Sequence, residues 1–585
     1  MGLQGLLSKG SHAAFGCGIL VGMTHTRRPL LPLAPLTPLT LLAPLARLPA
    51  AWPMALPALL IMGAALMAPV RVQANTPAAP SINPPSKNIT WLAAAQDADI
   101  ERAFAQAKAQ NKPVLLYWGA TWCPPCNQLK ATFFNSQDFA IQARDFVAVH
   151  VDGDRPGAQK LGARFKVRGY PTVILMNPQG AEITRLPGEA DAQQVMAVLR
   201  AGLSGGRPIQ QVLADARSGK ALSTNEWRTL AYYSWETDES QLVAPAQRPN
   251  LLAELAAKVP QGTAGGASRE VAQTHGEIAT RLWLKALATS DDGRGIKPDA
   301  MLRELVQTVL ADAASTKLHL DVLTGGAAKM VQVLSDEGTP ERAALVQRVD
   351  SALVRAQADA SLSRGDRTQV VIERVALARL GQGKDTLKPR LPEALLQQAR
   401  EHSQRMDREI TDGYERQAVI TSTAYLLGQA GLWEDSDALL KANLARSHSP
   451  YYLMSQLGSN ARKQGRSAEA LKWYQESFDK SVGPATRLQW GAGYFNALVD
   501  LAPQDSARIE AVAAQLFKEA GQDPAAFHER SARSLQRVAS KLKEWNKGPT
   551  QAAVLQRLQQ QLNGVCAGVA AADGQRQTCQ NLMKA

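Results

Sequence analysis

Two hydrophobic rhythms divide the chain. From Trp91 to about residue 203, apolar residues come as short continuous runs, Val114–Trp118, Phe146–Val151 and Thr172–Met176, with helical spacing between them. Runs this short and wholly apolar predict central strands buried on both faces. Asp97–Gln110 carries Ile100, Phe104 and Ala107 at helical intervals, and Gly157–Phe165 predicts a short helix. Asn177-Pro178-Gln179-Gly180 has type I turn residues, so Ala181–Leu186 should return antiparallel and Asp191–Ala201 should close the unit as a helix. After Gly205-Gly206 the rhythm is helical almost to the end. Ser223-Thr-Asn-Glu226 is a capping box predicting a helix over Trp227–Trp235. Met301, Leu302, Leu305, Val306, Val309 and Leu310 form one stripe, and Thr339-Pro340 is an N-cap followed by proline. From about residue 416 a period of 34 residues relates Gly431 to Gly465, Ser436 to Ala470 and Leu440 to Tyr474.

Residues 1–74 follow neither rhythm. Met54–Pro69 is an apolar core and Val72-Gln73-Ala74 offers small residues, as in an export signal cleaved after Ala74. An uncleaved membrane anchor is the alternative, and the only route to a membrane tether. Proline interrupts Leu30–Leu48 too often for a membrane helix. A Pro/Ser/Asn linker occupies residues 75–90. The net charge of the 585 residues is +13, and the first 74 contribute five basic residues (Lys9, Arg27, Arg28, Arg47, Arg71) and no acidic ones. The remaining charge is spread without a dense basic block, which excludes a nucleic-acid footprint. Besides Cys17 the cysteines fall into two local pairs, Cys123 with Cys126 and Cys566 with Cys579. That usage suits an oxidising, periplasm-like compartment.

The first pair lies in Trp122-Cys123-Pro124-Pro125-Cys126, where a buried strand delivers two cysteines to a helix start. An inert disulfide or half a zinc site are the alternatives to redox chemistry. Zinc wants a second close ligand pair, and Cys566 and Cys579 have twelve residues between them and no neighbouring histidine, so no metal or other cofactor is expected. Forty-five residues after Cys126, Gly169-Tyr170-Pro171-Thr172 opens another strand. With these motifs, the Val149–Asp152 strand end and the Asn177–Gly180 turn, residues 91–203 resemble a thioredoxin fold. Lys112-Pro-Val-Leu-Leu and Phe133, Phe134 and Phe139 are similar to the C-terminal reductase domain of bacterial transmembrane thiol:disulfide interchange proteins. Gly458, Gly465, Ala470 and Tyr474 resemble a tetratricopeptide repeat.

The resemblance implies that Cys123, the more exposed of the two, is the nucleophile and Cys126 the resolving thiol. It implies that Pro171 is a cis proline, that Tyr170 offers its backbone to a substrate chain, and that Trp122 covers the site. A helix N-terminus lowers the thiol pKa through free N–H groups and the helix dipole. Pro124 and Pro125 remove two of those donors, which points to a reductant- or isomerase-like potential. Tyr117 stands where cytoplasmic thioredoxins carry an acid, so their proton relay does not transfer directly. Lys166 and Arg168 either favour the thiolate or are solvated surface charge.

The expected layout is multidomain: targeting segment 1–74, linker 75–90, α/β thioredoxin-like domain 91–206, all-α helical domain 207–415, tetratricopeptide-like repeats 416–545, and a helix and tail 546–585. Cys566 and Cys579 should form a structural disulfide, a second redox pair being the alternative. The expected function is exported thiol–disulfide exchange with client proteins, served by a thiol electron donor or acceptor not identifiable from sequence. A scaffold whose thioredoxin fold and repeats only bind partners is the other reading.

Overall fold

The computed structural model describes residues 89–188, 192–238, 241–262, 268–290, 295–571 and 574–584. Cys17, the targeting segment and nearly all of the linker lie outside them. The described part opens with five strands: β1 (Leu92–Ala94), β2 (Val114–Gly119), β3 (Val147–Asp152), β4 (Thr172–Met176) and β5 (Glu182–Leu186). They form one sheet in the order β1-β3-β2-β4-β5. β3 is parallel to β1 and β2, while β4 runs antiparallel to β2 and β5. Helices α1 (Asp97–Gln110), α2 (Pro124–Ala131), α3 (Gln137–Gln142), α4 (Ala158–Arg164) and α5 (Ala192–Leu203) connect and flank the strands. Every residue of β2 and β3 is buried, the physical reason these runs lack polar alternation.

Successive side chains of β2 point to opposite faces, and the two faces meet different parts of the chain. On one face Leu115 and Tyr117 join Phe134, Phe139, Val173 and Leu175 in a core that continues without a break into Trp227, Leu252 and Leu282. On the other, Leu116 and Trp118 join Trp122, Cys123, Cys126 and Tyr170 in a cluster completed by Tyr451 and Trp490. Arg185 of β5 is fully buried, paired with Glu182 at 2.9 Å and donating to the Phe165 and Thr237 carbonyls. It ties the open sheet edge to the chain that follows.

From Ile209 onward the described residues are helical, and none of their helices is long and apolar enough to cross a membrane. Three differences from the sequence reading have local causes. The Ser223 capping box opens a helix that ends at Ala231, not Trp235. Tyr233 donates to Asp238 at 2.7 Å and Trp235 Nε1 to the Leu230 carbonyl at 3.1 Å, so both aromatics fold back into the core. Met301 is 45% exposed, because its neighbour Leu302 takes the inward position of the helix Ala300–Ala311. β1 and α3 are too short to declare a period. Gly431 and Gly465 each join two packed helices at positive φ (78° and 74°), and the first helix of the second pair, Pro450–Lys463, meets the dithiol cluster through Tyr451 and Tyr452.

Candidate active site

Cys123 is the N-cap of α2, in extended geometry, and Pro124 and Pro125 occupy the first helical positions. Their fixed φ favours a helix start but leaves Cys126 N–H as the donor that reaches back to Cys123 Sγ, at 3.3 Å. Cys123 and Cys126 are joined by a disulfide with Cα atoms 5.3 Å apart. Asn127 fixes the loop in place: its Nδ2 donates to the carbonyls of Thr121 and Cys123, each at 2.8 Å. The Tyr170–Pro171 peptide is cis, and Tyr170 shares the cluster that holds both cysteines. Gly153 makes this packing feasible, since a Cβ there would collide with the Tyr170 ring.

At the ends of β2 and β3 the buried polar groups are unusual. Tyr117, at the position of the expected acid, is fully buried and stacks on His150 with centroids 4.9 Å apart. Burial, then the nearby Asp152 charge, pushes the Tyr117 hydroxyl well above its ordinary pKa. Burial, then the cations Lys130 and Arg155, holds His150 near a pKa of 3, so the ring is neutral. Asp152 ends β3 opposite Gly119 and is raised to about 7, by burial first and Asp154 second. Lys130 of α2 is 2% exposed, lies over the Tyr414 ring, and is lowered to about 8 by burial, with Asp152 opposing that shift.

The resemblance made Cys123 the more exposed of the two cysteines and Trp122 the cover. In the folded chain both sulfur-bearing residues are 0% exposed, and Trp122 is itself covered. Its ring stacks on Tyr452 (6.1 Å) and meets Trp490 edge-on (5.8 Å). Trp122 Nε1 donates to Asp154 at 2.9 Å and Thr486 at 2.8 Å, and its carbonyl accepts from Gln417 at 3.2 Å. Asp154 also accepts from Thr486 and pairs with Arg530. The Arg530 guanidinium lies over both Trp122 (5.3 Å) and Tyr170 (5.0 Å). Arg168 points outward toward Glu529, 3.9 Å away, and the Lys166 side chain is exposed, so the buried cation of α2 is Lys130.

Asn127, Lys130, Asp154, Gln417, Tyr452, Thr486, Trp490 and Arg530 were absent from the sequence-derived site. Only Asn127 and Lys130 had a local signal, as polar residues on the inward face of a helix that follows a CxxC.

A family model described as a thioredoxin-like domain matches residues 100–203. That segment is a thioredoxin-like domain. Thiol:disulfide interchange protein DsbD 2 of Pseudomonas aeruginosa is 32% identical over 151 residues, which are 24% of this chain and 25% of that protein. Thiol:disulfide interchange protein DsbD of Pseudomonas fluorescens is 29% identical over 143 residues, covering 23% and 24%. The chain thus spans about a quarter of the length of these curated relatives. A solved DsbH oxidoreductase aligns at 21% identity over 20% of this chain and 86% of its own, with a TM-score of 0.18.

At the far end, Cys566 and Cys579 are buried and joined, linking the helix Pro549–Gly568 to the helix Gln575–Asn581. Among the described residues no group of three or more His, Cys, Asp or Glu is gathered as a metal site.

Proposed function

We propose that the chain is an exported thiol–disulfide oxidoreductase acting through Cys123 and Cys126. The observation that carries the reading is a closed CxxC disulfide at a helix start, in one cluster with the Tyr170–Pro171 loop. In the reduced state the Cys123 thiolate attacks a client disulfide in line, forming a mixed disulfide and expelling one client thiolate. Cys126 then attacks the Cys123 sulfur, which releases the second client thiol and closes the internal bond. Two electrons pass from the dithiol to the client, and a thiol donor restores them. With both proline N–H groups missing, the thiolate is less stabilised and the site is reductase- or isomerase-like. Trp122 and Tyr170–Pro171 support the site, Cys566–Cys579 is structural, and the helices of 416–545 are tetratricopeptide-like units that dock clients beside the 207–415 helices. Export with cleavage after Ala74 accounts for the oxidised cysteine pairs.

Cys126→Ser should trap mixed disulfides between Cys123 and clients, dissolved by reductant. A full absence of such adducts from periplasmic extract, with the variant folded, would sink the exchange reading. A second reading, a scaffold that binds without turnover, is favoured by one observation: neither cysteine is exposed. It predicts that a Cys123→Ser/Cys126→Ser chain keeps its partners at undiminished affinity.

A further inference from the structure

Thiol–disulfide exchange needs three sulfurs in a line, so a client must approach the reacting sulfur along its S–S axis. Here that approach is closed by side chains that lie more than 290 residues further along the chain. Gln417, Tyr452, Thr486, Trp490, Arg530 and Arg533 come from four helices: Gly413–Gln429, Pro450–Lys463, Pro484–Leu501 and Glu529–Trp545. They contact Trp122 and the loop before Pro171, the surfaces that the proposed exchange would offer to a client. Arg533 Nη2 donates to the Arg168 carbonyl at 2.8 Å, and Gln417 takes the Trp122 carbonyl. Arg530 N–H donates to Gln159 Oε1 at 3.0 Å, while Gln159 Nε2 donates to the Tyr170 hydroxyl at 3.0 Å. The array therefore uses up the polar groups as well as the apolar surface around the dithiol.

We infer that these helices form a gate over the dithiol, and that exchange requires them to withdraw from Trp122 and Tyr170. The gate depends on the proposed redox role for its purpose, though not for its existence.

Its composition suits a contact that opens. Asp154 is the common acceptor for Trp122, Thr486 and Arg530, so one carboxylate holds together three elements. Trp490 Nε1 is buried with no hydrogen-bond partner among the described residues, which weakens the closed state. Tyr451 and Trp490 add apolar contact to this closed state, while the polar contacts of Asp154, Gln417 and Arg530 are ones that water can replace when the helices withdraw. Gly483, at φ 91°, begins the helix that carries Thr486 and Trp490, and a Cβ there would lie 2.7 Å from the Asp154 Cβ. Close approach on that side is thus built into the backbone.

The test uses the full chain, reduced with a small phosphine and then exposed to a bulky maleimide, with labelling of the Cys123 peptide followed by mass spectrometry. Wild-type Cys123 should label slowly, at a rate that stops rising with reagent concentration because opening limits it. In sub-denaturing urea it should label well before far-UV circular dichroism reports unfolding. Arg530→Ala, which removes the cation paired with Asp154, should speed labelling by about a hundredfold or more, the factor expected when one partner of a buried ion pair is lost. Trp490→Ala should speed it in the same direction.

Wild-type labelling as fast as a free thiol would overturn the gate. So would labelling that tracks global unfolding through the urea series, a result that needs no variant to fold. Folded variants no faster than wild type would overturn it too. Because labelling reads access and not exchange, fast-labelling variants that still trap no client would leave the gate standing and remove the oxidoreductase reading.

Discussion

The N-cap sulfur of Cys123 accepts from the third helical N–H, from Cys126, whereas an ordinary cap side chain can also use the second. Pro125 occupies that second position and has no hydrogen to give. Pro125→Ala should restore the donor, lower the Cys123 pKa and stabilise the reduced form. A hydrogen bond to a charged group contributes on the order of 1.5 kcal/mol. For a two-electron couple that moves the potential by about 30 mV in the oxidising direction. Equilibration against glutathione buffers checks it, and an unchanged potential would mean that the missing donors do not tune the pair. The residues of this chemistry were legible in the sequence because they lie within five positions of one another. Their exposure was not. Cys123 shares its buried cluster with Trp490 and Tyr452, whose own spacing reads as ordinary helix core.

Elements followed their apolar periods closely: α1 and β4 occupy the expected residues, and β2 and β3 are shifted by one residue or less at either end. What failed were short elements and helix ends, where a tertiary hydrogen bond such as Tyr233 to Asp238 outweighs local preference. One helix also carries a charge that no pattern flags. Glu373, on the helix Arg364–Ala378, is buried and accepts the Ala328 N–H at 2.6 Å. Burial raises its pKa from 4.5 to about 8, with backbone N–H groups opposing the shift. Because the folded pKa is the higher one, its contribution to stability is complete below about pH 4.5 and is lost as pH rises to 8. Glu373→Gln should therefore gain stability relative to wild type steadily between pH 5 and 8. Urea midpoints measured across that range provide the check; a difference that does not vary with pH would refute the buried acid.

At the scale of the molecule, two devices hold the chain together at opposite ends of the helical region. The Cys566–Cys579 bond closes a loop of 13 residues against the core of the last helices. Its removal by Cys566→Ser/Cys579→Ser should cost ~3 kcal/mol, the loop-closure value for this length, measured as a lower denaturation midpoint with Cys123 labelling unchanged. At the other end, the core on one face of the sheet runs from Leu115 and Leu175 past residue 206 into Trp227, Leu252 and Leu282. The glycine pair at 205–206 marks a change of rhythm in the sequence, where the hydrophobic interior shows no boundary. This thioredoxin-like unit is consequently not a cassette. A fragment ending at residue 206 should expose the apolar face, bind a hydrophobic dye more strongly than the full chain and aggregate. For the same reason a gene fusion or shuffling event that broke the chain there would carry half a core into its new host. The thioredoxin-like segment and the first helices behind it would have to travel, and diverge, as one heritable piece.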